Sequence, residues 1–523
     1  MLIRKMAYSY KSIVDGGADS DMIYYNALIT SSGQRDSSLE TPAIRFNESR
    51  DAPIVRNASS YYFSIIRFAM NGPNKNLPLF IPVIQLNSLA FATQSDVNQT
   101  IYNVTIPYQR EWAYMDNTGA LVQRIFTITP NSTPLIYRPE TQNVNVAPVP
   151  FAPPNGLTKQ DLSTRYYWVY TYKHWCDLVN ETFRNAMYTV WFQFQQAWIS
   201  AALNINLAVS PFPYPTFEDF LLAHDLPFIK YDESEKRFEI YGDCRAFNMA
   251  TQCTATQTGL QESVPAFSPI VLVPPIPATA MSQPVLRLFF NTNLFGLLTN
   301  FNNTFYGATS NTNIFFPLTG STPITLGQGL LAYTVDDYTN EILFTNQNYT
   351  NILNNNPLLQ GFQNVPPPAY NPYFLIPATK QNLYWIAKQD YNSTNSLWSP
   401  CAAIVFTSAL LPIKNEYTSK PVVLGGTNIG ASTNSPSAFE PIISDFVVDQ
   451  QTEGAEGWRA FSLYEPTAEY KLSSIQASHD EIRNIDIQVY WKYRLTGELI
   501  PLTMYNCSDV QLKLLFRRTD FRS

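Results

Sequence analysis

From Ile485 the side chains alternate, with Ile485, Ile487, Val489 and Trp491 on one face and Asp486, Gln488, Tyr490 and Lys492 on the other. That is the period of a half-buried strand. Residues 494–498, with Gly497, supply a short reversal, residues 499–504 run back, and residues 510–516 again interleave Leu and Phe with Gln and Lys. The three runs predict an antiparallel meander, and a meander with one greasy face must bury it on another sheet. The chain is therefore expected to close by completing a β-sandwich.

Comparable runs recur upstream. Residues 61–70 are aromatic and β-branched, bounded by Asn57, Ala58 and Ser59 on one side and by Asn71, Gly72 and Pro73 on the other. Pro82 restricts residues 79–86 to an edge or bulged strand. Residues 101–108 alternate, and residues 121–129 follow a turn at Asp116, Asn117, Thr118 and Gly119. Residues 228–231 and 237–241 flank the charged Asp232, Glu233, Ser234, Glu235 and Lys236, which reads as a solvated hairpin tip. Further strands are expected at 285–290, 341–344, 383–387, 402–408, 442–448 and 468–472. In the first region every connection is a turn or loop, which argues against parallel βαβ winding.

One stretch departs from the period of two. Trp175, Leu178, Val179, Thr182, Phe183, Met187, Val190, Trp191, Phe194, Trp198 and Ile199 recur at spacings of three and four, predicting a helix over about 172–203. Its aromatic stripe reads as core laid on a sheet and not as a cofactor box. Thr216 with Asp219 then resembles a capping box for a short helix through Ala223. Residues 1–42 lack periodicity and read as an arm ordered against a neighbour. Pro148, Pro150, Pro153 and Pro154 make residues 144–156 a stiff connector. Residues 254–284, 299–325, 345–373 and 425–436 read as long loops that face outward or touch other copies.

Composition sharpens the picture. The 523 residues are 45% hydrophobic but only 14% charged, against a usual quarter or so. A polar, largely neutral exterior can meet neighbouring subunits without desolvating many charges, which suits a protein that assembles. The net charge of -7 comes with no basic run, so sequence-specific or general affinity for nucleic acid is not expected. Cys176, Cys244, Cys253, Cys401 and Cys507 are scattered and odd in number, as expected of buried, reduced thiols in a protein folded inside a cell. No secretory signal or membrane-spanning run is visible. The Asn-X-Ser/Thr triplets at Asn47, Asn57, Asn98, Asn103, Asn180 and Asn392 are accordingly expected to stay unmodified.

Residues that could carry chemistry are few and scattered. His174 lies two residues before Cys176, a spacing that does not put both on one helical face, so no metal pair is expected there. His224, beside Asp225, reads as a cation at a helix C-terminus, and His479, with Asp480 and Glu481, as exposed. Glu218 with Asp219 and Asp336 with Asp337 are adjacent carboxylates, and a glycosidase needs two that meet across a cleft. Gly327, Gln328 and Gly329 form a lone fragment of a glycine motif. No catalytic, cofactor-binding or metal residue is assigned, and no enzyme activity is expected.

Three stretches, residues 58–68, 398–406 and 482–491, together with the two β-rich halves and the long helix, resemble jelly-roll capsid proteins of eukaryotic DNA viruses, the virophage and polinton-like double jelly-roll group above all. The resemblance implies a mainly β fold of two antiparallel jelly-roll sandwiches with a long internal helix and long loops. It implies an arm at 1–42, a first jelly roll at 43–215 and a second at 216–523. It further implies a structural virion protein in an icosahedral capsid, a pseudo-hexameric homotrimer with itself and other capsid proteins as partners and a host receptor for its outer loops. A penton-type single jelly roll with insertions shares this texture, and a fibre or adhesin that binds carbohydrate or a receptor is the alternative of another class.

Overall fold

The computed structural model describes residues 21–30, 43–71, 77–85, 98–140, 160–224 apart from 161, 164 and 202–210, 226–243, 286–301 apart from 287, 315–317, 330–334, 381–389, 398–418, 438–447, 461–464, 472–475, 481–504 and 509–519. In chain order the elements are β1 (Met22–Thr30), β2 (Arg45–Ser49), β3 (Tyr61–Asn71), β4 (Gln99–Thr105), β5 (Tyr108–Met115), β6 (Leu121–Ile128) and β7 (Thr133–Ile136), then α1 (Tyr172–Ser200) and α2 (Phe217–Ala223). They continue with β8 (Phe228–Asp232), β9 (Arg237–Asp243), β10 (Phe289–Asn291), α3 (Thr292–Leu297), β11 (Phe315–Pro317), β12 (Leu330–Thr334) and β13 (Gln381–Lys388). The last are β14 (Cys401–Thr407), β15 (Glu416–Thr418), β16 (Ala438–Glu440), β17 (Ile442–Phe446), β18 (Phe461–Tyr464), β19 (Ser473–Ser474), β20 (Asn484–Tyr493), β21 (Leu499–Pro501) and β22 (Asp509–Arg518).

The two ends of the chain build one sandwich. Sheet I runs β1-β22-β3-β18 with β19 also on β3, and sheet II runs β17-β14-β20-β2 with β21 also on β20, all antiparallel. Alternation decides what each strand buries. Val510, Leu512, Leu514 and Phe516 of β22 are all buried, opposite Met70, Phe68, Ile65 and Phe63 of β3. A bulge between Lys513 and Leu514 skips Ile66 and keeps both inward sets in phase. Across the gap, the Phe68 ring meets Phe406 at 5.2 Å and Phe446 at 5.5 Å, and Tyr25 meets Phe46 at 5.9 Å.

Three expectations need correction. Residues 510–516 do not return beside β20 as the meander's third strand; β22 crosses to the facing sheet and lies between β1 and β3. Alternation specifies a buried face but not which sheet supplies it. The expected arm at 1–42 contains β1, whose nine residues pair in full with β22. The boundary expected between 215 and 216 falls inside sheets I and II, since each takes strands from both sides of it. Two smaller differences involve proline: within the expected strand at 79–86, the described residues 79–85 form the isolated bridges Phe80 with Val169 and Ile84 with Thr100, and Pro107 separates β4 from β5.

Between β3 and β14 lies a second assembly of sheet III, β11-β10-β4-β7, sheet IV, β12-β13-β9-β8, and the β5–β6 hairpin. Helix α1 holds these together. Thr171 caps it by accepting from the His174 amide, and its apolar stripe then faces several elements at once. Tyr172 stacks on Tyr231 of β8 at 3.9 Å, Trp175 meets Tyr102 of β4 at 5.5 Å, and Phe183 stacks on Phe290 of β10 at 6.0 Å. Asn180 adds a polar clamp, its side chain bonding both the amide and the carbonyl of Ile229. Trp398, just before β14, joins the two assemblies: its ring lies among Phe80, Tyr172, Trp175 and Phe238, and its Nε1 donates to the Leu297 carbonyl at 3.1 Å. Trp168 against Trp491 at 5.6 Å makes a second junction, so one continuous core runs through both.

Candidate functional site

The residues that could carry chemistry are placed as structural parts. His174 is buried in the first turn of α1, its Nε2 2.8 Å from the Arg138 carbonyl. Cys176 is buried, and burial, reinforced by the nearby Asp177, pushes its thiol far above the ordinary range. Burial also pushes the Cys401 thiol up to about 12, against the pull of Arg494. Both sulfurs are therefore held as unreactive thiols. His224 caps the C-terminus of α2, as its sequence position predicted, but its setting differs: it is buried against the rings of Phe220, Tyr214 and Tyr108. It acts there as an aromatic packing partner, with the Tyr214 hydroxyl 3.5 Å from its Nε2.

Among the predicted carboxylates, Asp219 closes the capping box on Thr216 at 2.7 and 3.0 Å. His479, Asp336, Asp337 and Gly327 to Gly329 lie outside the described residues, as do most of the expected long loops and the connector at 144–156. Of the sequon asparagines, Asn98 and Asn103 are buried, and the Asn98 amide donates to Tyr166 at 2.7 Å. Neither is presented to a glycosylating enzyme in the folded chain.

Among the described residues, the nearest approach to a metal centre is the β8–β9 hairpin, where Asp232, Glu235 and Glu239 bring carboxylate oxygens within 4.8 Å of one another. These groups are already engaged. Asp232 accepts from the Ser234 hydroxyl and amide and from the Glu235 amide, Glu235 pairs with Arg237 at 3.0 Å, and Glu239 accepts from the Tyr241 hydroxyl at 2.5 Å. The tip is thus a self-satisfied turn, with Lys236 at a φ of 55°.

Sequence reading missed two polar locks. Asp486, assigned to the outward face of β20, is buried beneath the turn after β14: its carboxylate accepts from the Ser408 hydroxyl at 2.5 Å and from the Ala409 and Leu410 amides at 2.9 Å each. Arg165, also buried, donates to the Thr503 hydroxyl and carbonyl and lies over Trp168, tying the central assembly to sheet II. No local pattern marks either residue, because each is defined by a partner far away in the chain.

What the fold leaves outside is apolar in several places. Tyr24 and Leu28 on β1, Leu121 and Ile125 on β6, and Tyr188, Phe192 and Ile199 on α1 are all exposed. Such side chains on rigid elements are the raw material of subunit contacts. No described helix is long and apolar enough to cross a membrane.

Comparison with known proteins agrees with this reading. The profile of the family described as Sputnik minor capsid protein V18/19 matches residues 23–518. The uncharacterized protein V18 of Sputnik virophage is 29% identical over 178 residues, 34% of this chain and 89% of that protein. A chain of the Sputnik virophage structure determined by cryo-EM superposes with a TM-score of 0.55 at 18% identity, over 96% of this chain and 98% of that one. The mavirus penton protein gives a TM-score of 0.43 at 13% identity, over 95% and 100% of the two chains.

Proposed function

The chain belongs to the Sputnik minor capsid protein V18/19 family, and from that premise we propose that it acts through contacts between subunits and not by catalysis. It is a structural protein of the virion capsid, mainly β, with antiparallel jelly-roll sandwiches as its walls. The observation that carries the reading is the extent of the family match, which runs from β1 to β22 and so takes in the whole fold and not one module. The proposed role is that of a building block that self-associates and joins other capsid proteins, its sandwiches giving rigidity and its exposed apolar side chains giving affinity.

A second reading of its place in the shell is a penton-type vertex protein, one jelly roll enlarged by an insertion. The strand pairing favours it, because sheets I and II are completed by residues 21–71 and 398–519 while the intervening segment builds sheets III and IV. Native mass spectrometry and negative-stain imaging of the purified chain separate the two: trimers support a pseudo-hexameric block and pentamers a vertex position. Dispersed monomers under every assembly condition would sink both, and turnover of any of a panel of chromogenic glycosides would overturn the non-catalytic role.

A further inference from the structure

We infer that the outer face of sheet I is the surface by which one copy of this chain docks on a carboxylate-bearing surface of the next, a proposal that rests on the self-assembling role above. The strand register puts Lys513 of β22 directly opposite Arg67 of β3, both pointing away from the core. The next pair along the same face towards the end of β22, Leu515 with Ser64, is buried, so the open part of the face runs from Lys513 towards the exposed Gln511. Like charges directly opposite across a ladder destabilise it in isolation. Neither Lys513 nor Arg67 has a carboxylate partner among the described residues; Asp509, on the same face of β22, is four residues from Lys513, about 13 Å along a strand. Lys513 instead lies over the Tyr24 ring, 5.3 Å from its centroid.

Beside this cationic pair, β1 is the edge of the sheet among the described residues. Its outward Tyr24 and Leu28 are 53% and 63% exposed, while Tyr25 and Ala27 between them are buried. The sequence of β1 carries no charge and no proline, the devices by which sheet edges are normally kept from meeting other chains. An aromatic and aliphatic rim beside the Lys513 and Arg67 pair has the composition of a protein interface. Carboxylate inserted between Lys513 and Arg67 would relieve their repulsion.

Charge complementarity points to a second copy as the source. The chain has 41 acidic against 34 basic residues, and Glu233 stands exposed at the β8–β9 tip. A basic face meeting an acidic surface elsewhere on an identical chain is a heterologous contact, and repetition of such a contact closes a ring when the rotation allows.

The test is Lys513→Glu in the full chain, with oligomer mass read by native mass spectrometry and folding by thermal melting. The variant places a carboxylate opposite Arg67, so the monomer is expected to melt no lower than wild type while the concentration needed for assembly rises tenfold or more. Wild-type assembly should itself weaken as salt is raised. Should Lys513→Glu fail to fold, Arg67→Gln and Tyr24→Ser carry the same expectation. Variants that assemble as wild type overturn this surface and leave self-assembly standing, whereas a wild type that never assembles overturns both. Salt-sensitive binding of duplex DNA, lost in Lys513→Glu with assembly unchanged, would show the face to be a polyanion site and reject the proposal.

Discussion

At the scale of single residues, a few buried polar groups hold the ends of strands in place. Asp486 serves three donors at the β14 turn. Asp486→Ala leaves two backbone amides without their acceptor, and urea denaturation should show a loss of about 2–3 kcal/mol. Asp116 does similar work in water, at the β5–β6 turn. Its carboxylate accepts from the Thr118 hydroxyl and from the Ala120 and Thr118 amides, which hold it below the usual carboxylate range. A folded pKa below the unfolded one means that the stabilisation is present above the unfolded value and is lost as pH falls through the folded one. Acidification should therefore lower the protection factors of the Thr118 and Ala120 amides, taken against their intrinsic exchange rates at each pH, and Asp116→Ala should leave both poorly protected at every pH. Sequence showed Asp116 as a turn residue because its partners are two and four positions away. It could not show Asp486 as a lock, since the turn that lands on it is about eighty residues upstream.

Among the elements, α1 was the most legible, because eleven large side chains at helical spacing leave no alternative period. Its partners were not legible: the stripe says that something packs there, and only the fold says that β4, β8, β10 and the β5–β6 hairpin share it. The hairpin depends on this contact. Trp112 lies 6.1 Å from both Phe194 and Trp198, and Phe126 stacks on Trp198 at 5.3 Å. Arg110 over Trp112 and Arg124 over Phe126 cover the same cluster. Two strands alone are marginal in water, so Trp112→Ala should cost about 3–5 kcal/mol. Hydrogen exchange should localise the damage, with β5 and β6 losing protection first and sheets I and II keeping theirs. β1 shows the converse of α1. Its aromatic and β-branched residues were read as part of an arm because Ser, Asp and Gly surround them, and only the ladder with β22 makes them a strand.

For the whole molecule, the sequence conveyed the antiparallel β character and the stacking of greasy faces. It did not convey how the ends combine, because alternating Leu and Phe in residues 510–516 would suit either sheet. The pairing observed makes β22 an interior strand, flanked by β1 and β3. A chain ending at Ser508 should therefore lose far more than the contacts of its fifteen missing residues alone. It is expected to be insoluble or to bind hydrophobic dyes at room temperature, and a soluble, cooperatively melting product would contradict this account of sheet I.

The position of β22 also bears on timing. β22 leaves the ribosome after the other strands of sheet I, so β1 cannot close its ladder until more than four hundred residues beyond it have been made. Translation that stops early leaves a molecule without its finished wall and without Lys513. A chain cut short before β22 thus lacks the docking surface proposed above, and an assembly built on that surface would leave it out.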